Sequence, residues 1–126
     1  MTPIATDNAP AAIGAYSQAI AHGGVVYCSG QIGLKPDGTW AGADVKTQTV
    51  AALANLDAIL TAARSSRDQV IRATIFLASM DDFAIVNEVY AEFFGEHRPA
   101  RACVEASRLP KDALVEISCV AASDCP

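Results

Sequence analysis

Apolar residues recur at two periods along this chain, and the switches between them mark out its elements. Ala15 to Ala21 and Val25 to Ser29 flank His22-Gly23-Gly24, the pattern of a β-hairpin. A third strand is predicted around Gln31 to Lys35, closed by the turn Pro36-Asp37-Gly38. From Val45 to Arg64 the period changes: Val50, Leu53, Leu56, Leu60 and Ala63 return every three or four residues, an amphipathic helix with Asp44 as its N-cap. That helix stops at Arg64-Ser65-Ser66 without the glycine that usually takes the left-handed position past a C-terminus. Val70 to Leu77, apolar apart from Arg72 and Thr74, reads as a central strand. Asp81 or Asp82 then caps a second helix with Phe83, Val86, Tyr90, Phe93 and Phe94 on its buried side. Ala102 to Ser107 and Leu114 to Ala122 complete the set as two strands joined through Arg108 to Ala113, and the first dozen residues, with Pro3 and Pro10, read as an irregular arm.

The order β-β-β-α-β-α-β-β predicts a single α+β domain over residues 1–126, a mixed sheet of about six strands with two helices on one face. The other face then leaves apolar surface bare, which points to self-association. Composition sharpens this picture in three respects. The 52% hydrophobic content is heavy for a chain with 18% charged residues, again favouring covered surfaces. A net charge of −5 argues against binding nucleic acid by phosphate neutralisation. Every apolar run is broken before about 20 residues, and Met1 to Asp7 lacks a basic-then-apolar leader, so the expectation is a cytoplasmic protein without a membrane segment. Cys28, Cys103, Cys119 and Cys125 form no Cys-x-x-Cys, and neither His22 nor His97 stands at zinc-ligand spacing from them. Phosphate-binding loops, zinc-protease motifs and nucleophile elbows are missing as well. No metal or organic cofactor is expected.

The chemistry concentrates at the end of the chain. Paired symmetrically about Leu109 to Asp112, the last two strands would set Glu105 opposite Glu116, a destabilising contact unless a cation, a water or a raised pKa relieves it. Glu116, on a largely apolar strand, is a candidate for positioning or activating water. Otherwise it is an edge charge that blocks aggregation. Arg101, just after Pro99-Ala100, offers a planar fork for a carboxylate, within about 13 Å of the position opposite Glu116 if the strands are hairpin partners. Its alternative is a solvated surface arginine. Ser29-Gly30 ends a strand where a ligand can approach the backbone and find a free N–H. Asn87 lies beside the buried stripe of the second helix and needs a partner, while Tyr16 and Cys103 are core residues by default.

Together the segments Ala9-Pro10-Ala11-Ala12-Ile13-Gly14-Ala15-Tyr16-Ser17-Gln18, Ser29-Gly30-Gln31-Ile32, Phe83 to Tyr90, Pro99-Ala100-Arg101-Ala102-Cys103-Val104-Glu105 and Leu109-Pro110-Lys111-Asp112-Ala113-Leu114-Val115-Glu116-Ile117 resemble the RidA (YjgF) family, collinearly and over nearly the whole chain. The resemblance implies a chorismate-mutase-like fold and a homotrimer with sites between subunits. It implies hydrolysis of small reactive 2-imino acids, 2-iminopropanoate and 2-iminobutanoate, to 2-oxo acids and ammonia without a cofactor. Arg101 would hold the substrate carboxylate, Glu116 would place water, the Gly30 N–H would assist, and Tyr16, Ser29, Asn87 and Cys103 would belong to the binding pocket. Four positions depart from the family pattern: Ala15 for proline, Arg98 for an aromatic residue, Ser118 for a second acid and Arg64 for the helix-stop glycine. Arg98 would favour a larger or dicarboxylic enamine as substrate. The remaining alternative is a non-catalytic ligand-binding or holdase protein.

Overall fold

A computed structural model describes residues 1–126. Six strands form one mixed sheet: β1 (Thr2–Ile4), β2 (Ala19–His22), β3 (Val25–Gln31), β4 (Val70–Leu77), β5 (Ala100–Glu105) and β6 (Val115–Ala122). Their spatial order is β1-β2-β3-β6-β4-β5, with β4 and β5 parallel and all other neighbours antiparallel. Helices α1 (Val45–Ala62) and α2 (Phe83–Phe94) pack against each other on one face. β6 shows why: Val115, Ile117, Cys119 and Ala121 are buried under the helices, and the alternate residues Glu116, Ser118, Val120 and Ala122 are only half-buried. No helix is long and apolar enough to cross a membrane.

The element order matches the sequence pattern, but three strands differ from expectation, the first hairpin strand starting at Ala19 rather than Ala15. The arm is not wholly irregular, because Thr2–Ile4 adds an edge strand to β2, where Pro3 is tolerated. Conversely, Gln31 to Lys35 is not a separate strand: β3 runs through Gln31, and only an isolated bridge between Leu34 and Trp40 follows. The chain leaves the sheet there because α1 claims it. A Cβ on Gly33 would lie 2.5 Å from the Gln48 Cα, and the buried Asn55 amide donates to the Ile32 and Leu34 carbonyls at 3.3 and 2.8 Å. Those carbonyls are the groups a sheet neighbour would need.

The last two strands also pair differently. β4 lies between β5 and β6, so they form no hairpin, and Glu105 does not face Glu116. Instead a Glu105 carboxylate oxygen accepts the Met80 N–H at 2.8 Å, fixing the turn before α2. Ser79, rather than Asp81 or Asp82, caps that turn, and Asp82 stands at the head of α2 without a capping bond. Asp44 does cap α1, accepting the Thr47 N–H at 2.9 Å. Along α1, Leu53, Leu56, Leu60 and Ala63 are buried as the spacing implies, whereas Val50 is exposed.

At the end of α1, Ser65 N–H donates to Leu60 O and Arg64 N–H to Thr61 O, with Arg64 at φ 55°. These are the paired bonds of a helix end built for glycine at the left-handed position. Replacing Arg64 with glycine should therefore raise stability by about 1 kcal/mol, read as a higher midpoint in chemical denaturation. An unchanged or lower midpoint would show that the arginine side chain offsets its backbone strain.

Candidate functional site

The candidate residues gather at two places. The first lies where the N-terminal arm, the end of β3 and the turn before β6 meet around a cavity of about 600 Å³. Tyr16, Ser29, Gly30 and Glu116 line it, with Pro10, Ile13, Ile32, Pro110 and Lys111 among the rest. Gln18 shapes this wall. Its buried amide accepts the Thr6 N–H at 2.7 Å and donates to the Thr6 and Pro10 carbonyls at 3.1 and 2.8 Å, clamping the arm against β2. The Ser29 hydroxyl donates to Ser17 O at 2.6 Å and the Ser29 N–H to Gln18 O at 2.9 Å. Ser29 thus ties β3 to the segment that presents Tyr16. Far from being a core residue, Tyr16 is 53% exposed at the cavity edge.

Glu116 reaches this cavity from the sheet face opposite the helices. Burial alone holds its carboxyl above the ordinary glutamate range, since no protein group donates to it. Lys111 is the one cation lining the cavity. It is carried on a turn in which Lys111 and Asp112 both adopt left-handed backbone, at φ 54° and 57°. An Arg108–Asp112 ion pair at 2.7 Å and the bond from Asp112 N–H to Leu109 O brace that turn.

The second place is the edge formed by β5 and α2. Arg101 pairs in register with the buried Ala73, so its side chain lies on the helix face of the sheet. There its guanidinium sits 4.9 Å from the Tyr90 ring centre and 5.6 Å from that of Phe83. One Arg101 Nη donates to the Asn87 Oδ1 at 2.7 Å, which supplies the partner this helix amide needed. The remaining N–H groups of the exposed fork are available to a carboxylate. Cys103 pairs with Ile75 on the same face and is half-buried against the core. Burial pushes its thiol up, with Arg101 opposing, so it is not poised as a thiolate. Arg98 lies on the same edge, where its guanidinium donates to the Gly95 and His97 carbonyls at the end of α2, and within one protomer neither it nor Arg101 lines the cavity.

Within one protomer the two groups do not meet. Arg101 is aligned with Ala73 on one face and Glu116 with Phe76 on the other. The offset of three residues and two strand spacings separates their backbones by about 14 Å. The hairpin expected from the sequence would have set both side chains on one side, and the intervening β4 removes that geometry. Among the residues that sequence reasoning passed over are Gln18, Phe83, Tyr90 and Lys111. Phe83 and Tyr90 read only as core, and nothing in their spacing distinguished a platform beneath an arginine from ordinary packing.

One mixed sheet with two helices on one face thus carries a cavity lined by Glu116 on its bare side and an aromatic-backed arginine on its helix side, the architecture of an α+β single domain. The model of the family described as Endoribonuclease L-PSP matches residues 6–123, and the chain belongs to this family, the RidA (YjgF) family. It is 52% identical to a RutC family protein of Pyrococcus horikoshii over 119 residues, 94% of each chain. It is 45% identical to the 2-iminobutanoate/2-iminopropanoate deaminase of Escherichia coli over 121 residues, again 94% of each. The solved structure of Escherichia coli TdcF with bound serine superposes with a TM-score of 0.93 at 42% identity, covering 98% of this chain and all (100%) of that one.

The raised carboxyl has a stability consequence. A folded-state value above the unfolded one means that the folded chain binds more protons in the window between them, so stability falls as pH rises through it. Glu116→Gln should therefore melt higher than the parent at pH 7, with the difference vanishing at about pH 4, near the ordinary glutamate value. Equal melting at both pH values would show that the carboxylate is relieved by a partner.

Proposed function

We propose that this protein is an enamine/imine deaminase that hydrolyses small 2-imino acids, 2-iminopropanoate and 2-iminobutanoate, to 2-oxo acids and ammonia, using no cofactor. The observation that carries this reading is the pairing of an oriented, exposed Arg101 with a partly desolvated, unpartnered Glu116 in a family that includes a deaminase of that specificity. Because the two residues lie on opposite faces of one sheet, the reading requires assembly: Arg101 of one subunit approaches the Glu116 cavity of its neighbour in a homotrimer. The bare sheet face, with Tyr27 and Val104 exposed, is the surface such an assembly covers.

The chemistry then asks little of the protein. A protonated imine is already electrophilic at C2. Arg101 holds the substrate carboxylate, and the Gly30 N–H and Tyr16 complete its orientation beside Ser29 and Cys103. Glu116 accepts a proton from the attacking water, which adds to C2. Glu116 returns that proton to the amine nitrogen of the tetrahedral carbinolamine, the C–N bond breaks with loss of ammonia as the C2 hydroxyl gives up its proton, and the 2-oxo acid leaves. A carboxyl held above its usual range by burial is a better base once ionised. Asn87 keeps the Arg101 fork in place.

A coupled assay tests the proposal. An amino-acid oxidase or threonine dehydratase generates the imino acid, and its decay is followed with and without the protein. Arg101→Ala and Glu116→Ala should each abolish acceleration, while Arg101→Ala still assembles as the parent does. Asn87→Ala should raise KM about tenfold with a smaller change in kcat, the mark of a mispositioned binding group. Turnover by Arg101→Ala equal to the parent would remove Arg101 from the site, and no acceleration by the parent with any small imino acid would overturn the activity.

A further inference from the structure

Gly30 is not a glycine for the usual reason. Gly14, Gly23, Gly24, Gly38 and Gly95 occupy positive φ, but Gly30 does not, so an L-residue fits its backbone without strain. What Gly30 lacks is room. A Cβ built there would lie 2.7 Å from the Glu116 Oε1, 2.9 Å from its Cδ and 3.0 Å from its Cγ. Those three nearest atoms all belong to Glu116, and none is backbone. The register between β3 and β6 breaks between Cys28 and Gln31, which brings this stretch of β3 over the β6 residue whose carboxylate it shelters.

No hydrogen bond from the protein holds that carboxylate, and burial is the one cause of its raised value. The charged and titratable groups sharing its cavity are Lys111 from the turn before β6 and Tyr16 from the arm; β3 presents Ser29, Gly30 and Gln31, and β4 presents Phe76 in register. Packing therefore decides where the carboxylate points, and at Gly30 it occupies the space a Cβ would fill.

We propose that Gly30 is a positioning residue whose missing side chain is the slot in which the Glu116 carboxylate lies. An alanine there displaces the far end of a flexible side chain, which moves more readily than the sheet does, and leaves the Gly30 N–H intact. The slot rests on the reading of Glu116 as the water-placing group only for its effect on turnover; the placement itself stands apart from it.

The experiment compares Gly30→Ala, Glu116→Ala and the double variant, together with a ¹³C-carboxyl NMR titration of Glu116, its signal assigned by its loss in Glu116→Gln. Gly30→Ala should lower kcat about a hundredfold, the scale expected for misplacing a reacting group by about 1 Å, while KM changes less than about threefold. It should add nothing to the Glu116→Ala defect. The Glu116 titration midpoint should fall toward the ordinary glutamate range in Gly30→Ala as the carboxylate moves into water. An unchanged midpoint overturns the proposal, as does a Gly30→Ala loss that adds in full to that of Glu116→Ala. Should Glu116→Ala turn over like the parent, the catalytic reading fails, and the titration alone then decides the slot.

Discussion

Successive side chains of a strand point to opposite faces, and in this sheet that alternation governs everything the molecule can do. Arg101 follows the parity of Ala73 and goes to the helix side, where α2 backs it with Phe83, Tyr90 and Asn87. Glu116 follows the parity of Phe76 and goes to the bare side, where the arm, the end of β3 and the Lys111 turn enclose it. A one-residue slip in either strand would place both on one face, but it would also turn a row of buried aliphatic side chains outward. The core and the division of the site are consequences of one pattern.

That division explains the asymmetry of the two halves. The arginine is oriented by a single amide bond and two rings. The carboxylate is kept partly dry, because β6 carries Glu116 between buried Val115 and Ile117 and beneath Gly30. On the proposed reading each half needs the other, so the bare face and the deaminase assignment depend on each other.

Much of this was legible in the chain. Helix spacing located Leu53, Leu56, Leu60, Val86 and Tyr90 in the core, and Asp44 announced its cap. The missing glycine at Arg64 correctly foretold a strained helix end. Sheet order was not legible. Neither the composition nor the spacing of Ala102 to Ser107 and Leu114 to Ala122 reveals that β4 slides between them, because strand pairing is decided by distant partners. The same limit hid the fate of Gln31 to Lys35, whose β-like pattern yields to the Asn55 amide and to the close approach of α1 at Gly33. Within the candidate site, the residue types that carry charge could be named in advance, while Gln18 and the aromatic platform under Arg101 could not. Their roles arise from contacts between segments that look ordinary in isolation.

The central claim is that a working site takes Arg101 from one subunit and Glu116 from another, and subunit mixing tests it most directly. Arg101→Ala and Glu116→Ala proteins, each inactive, would be unfolded together in equal amounts, refolded and assayed for imine hydrolysis. Random assembly should restore about a quarter of parental turnover, since each site then draws an intact arginine and an intact glutamate independently. Mixed assemblies that form but stay as inactive as either variant would contradict the account and place both residues in a site within one chain.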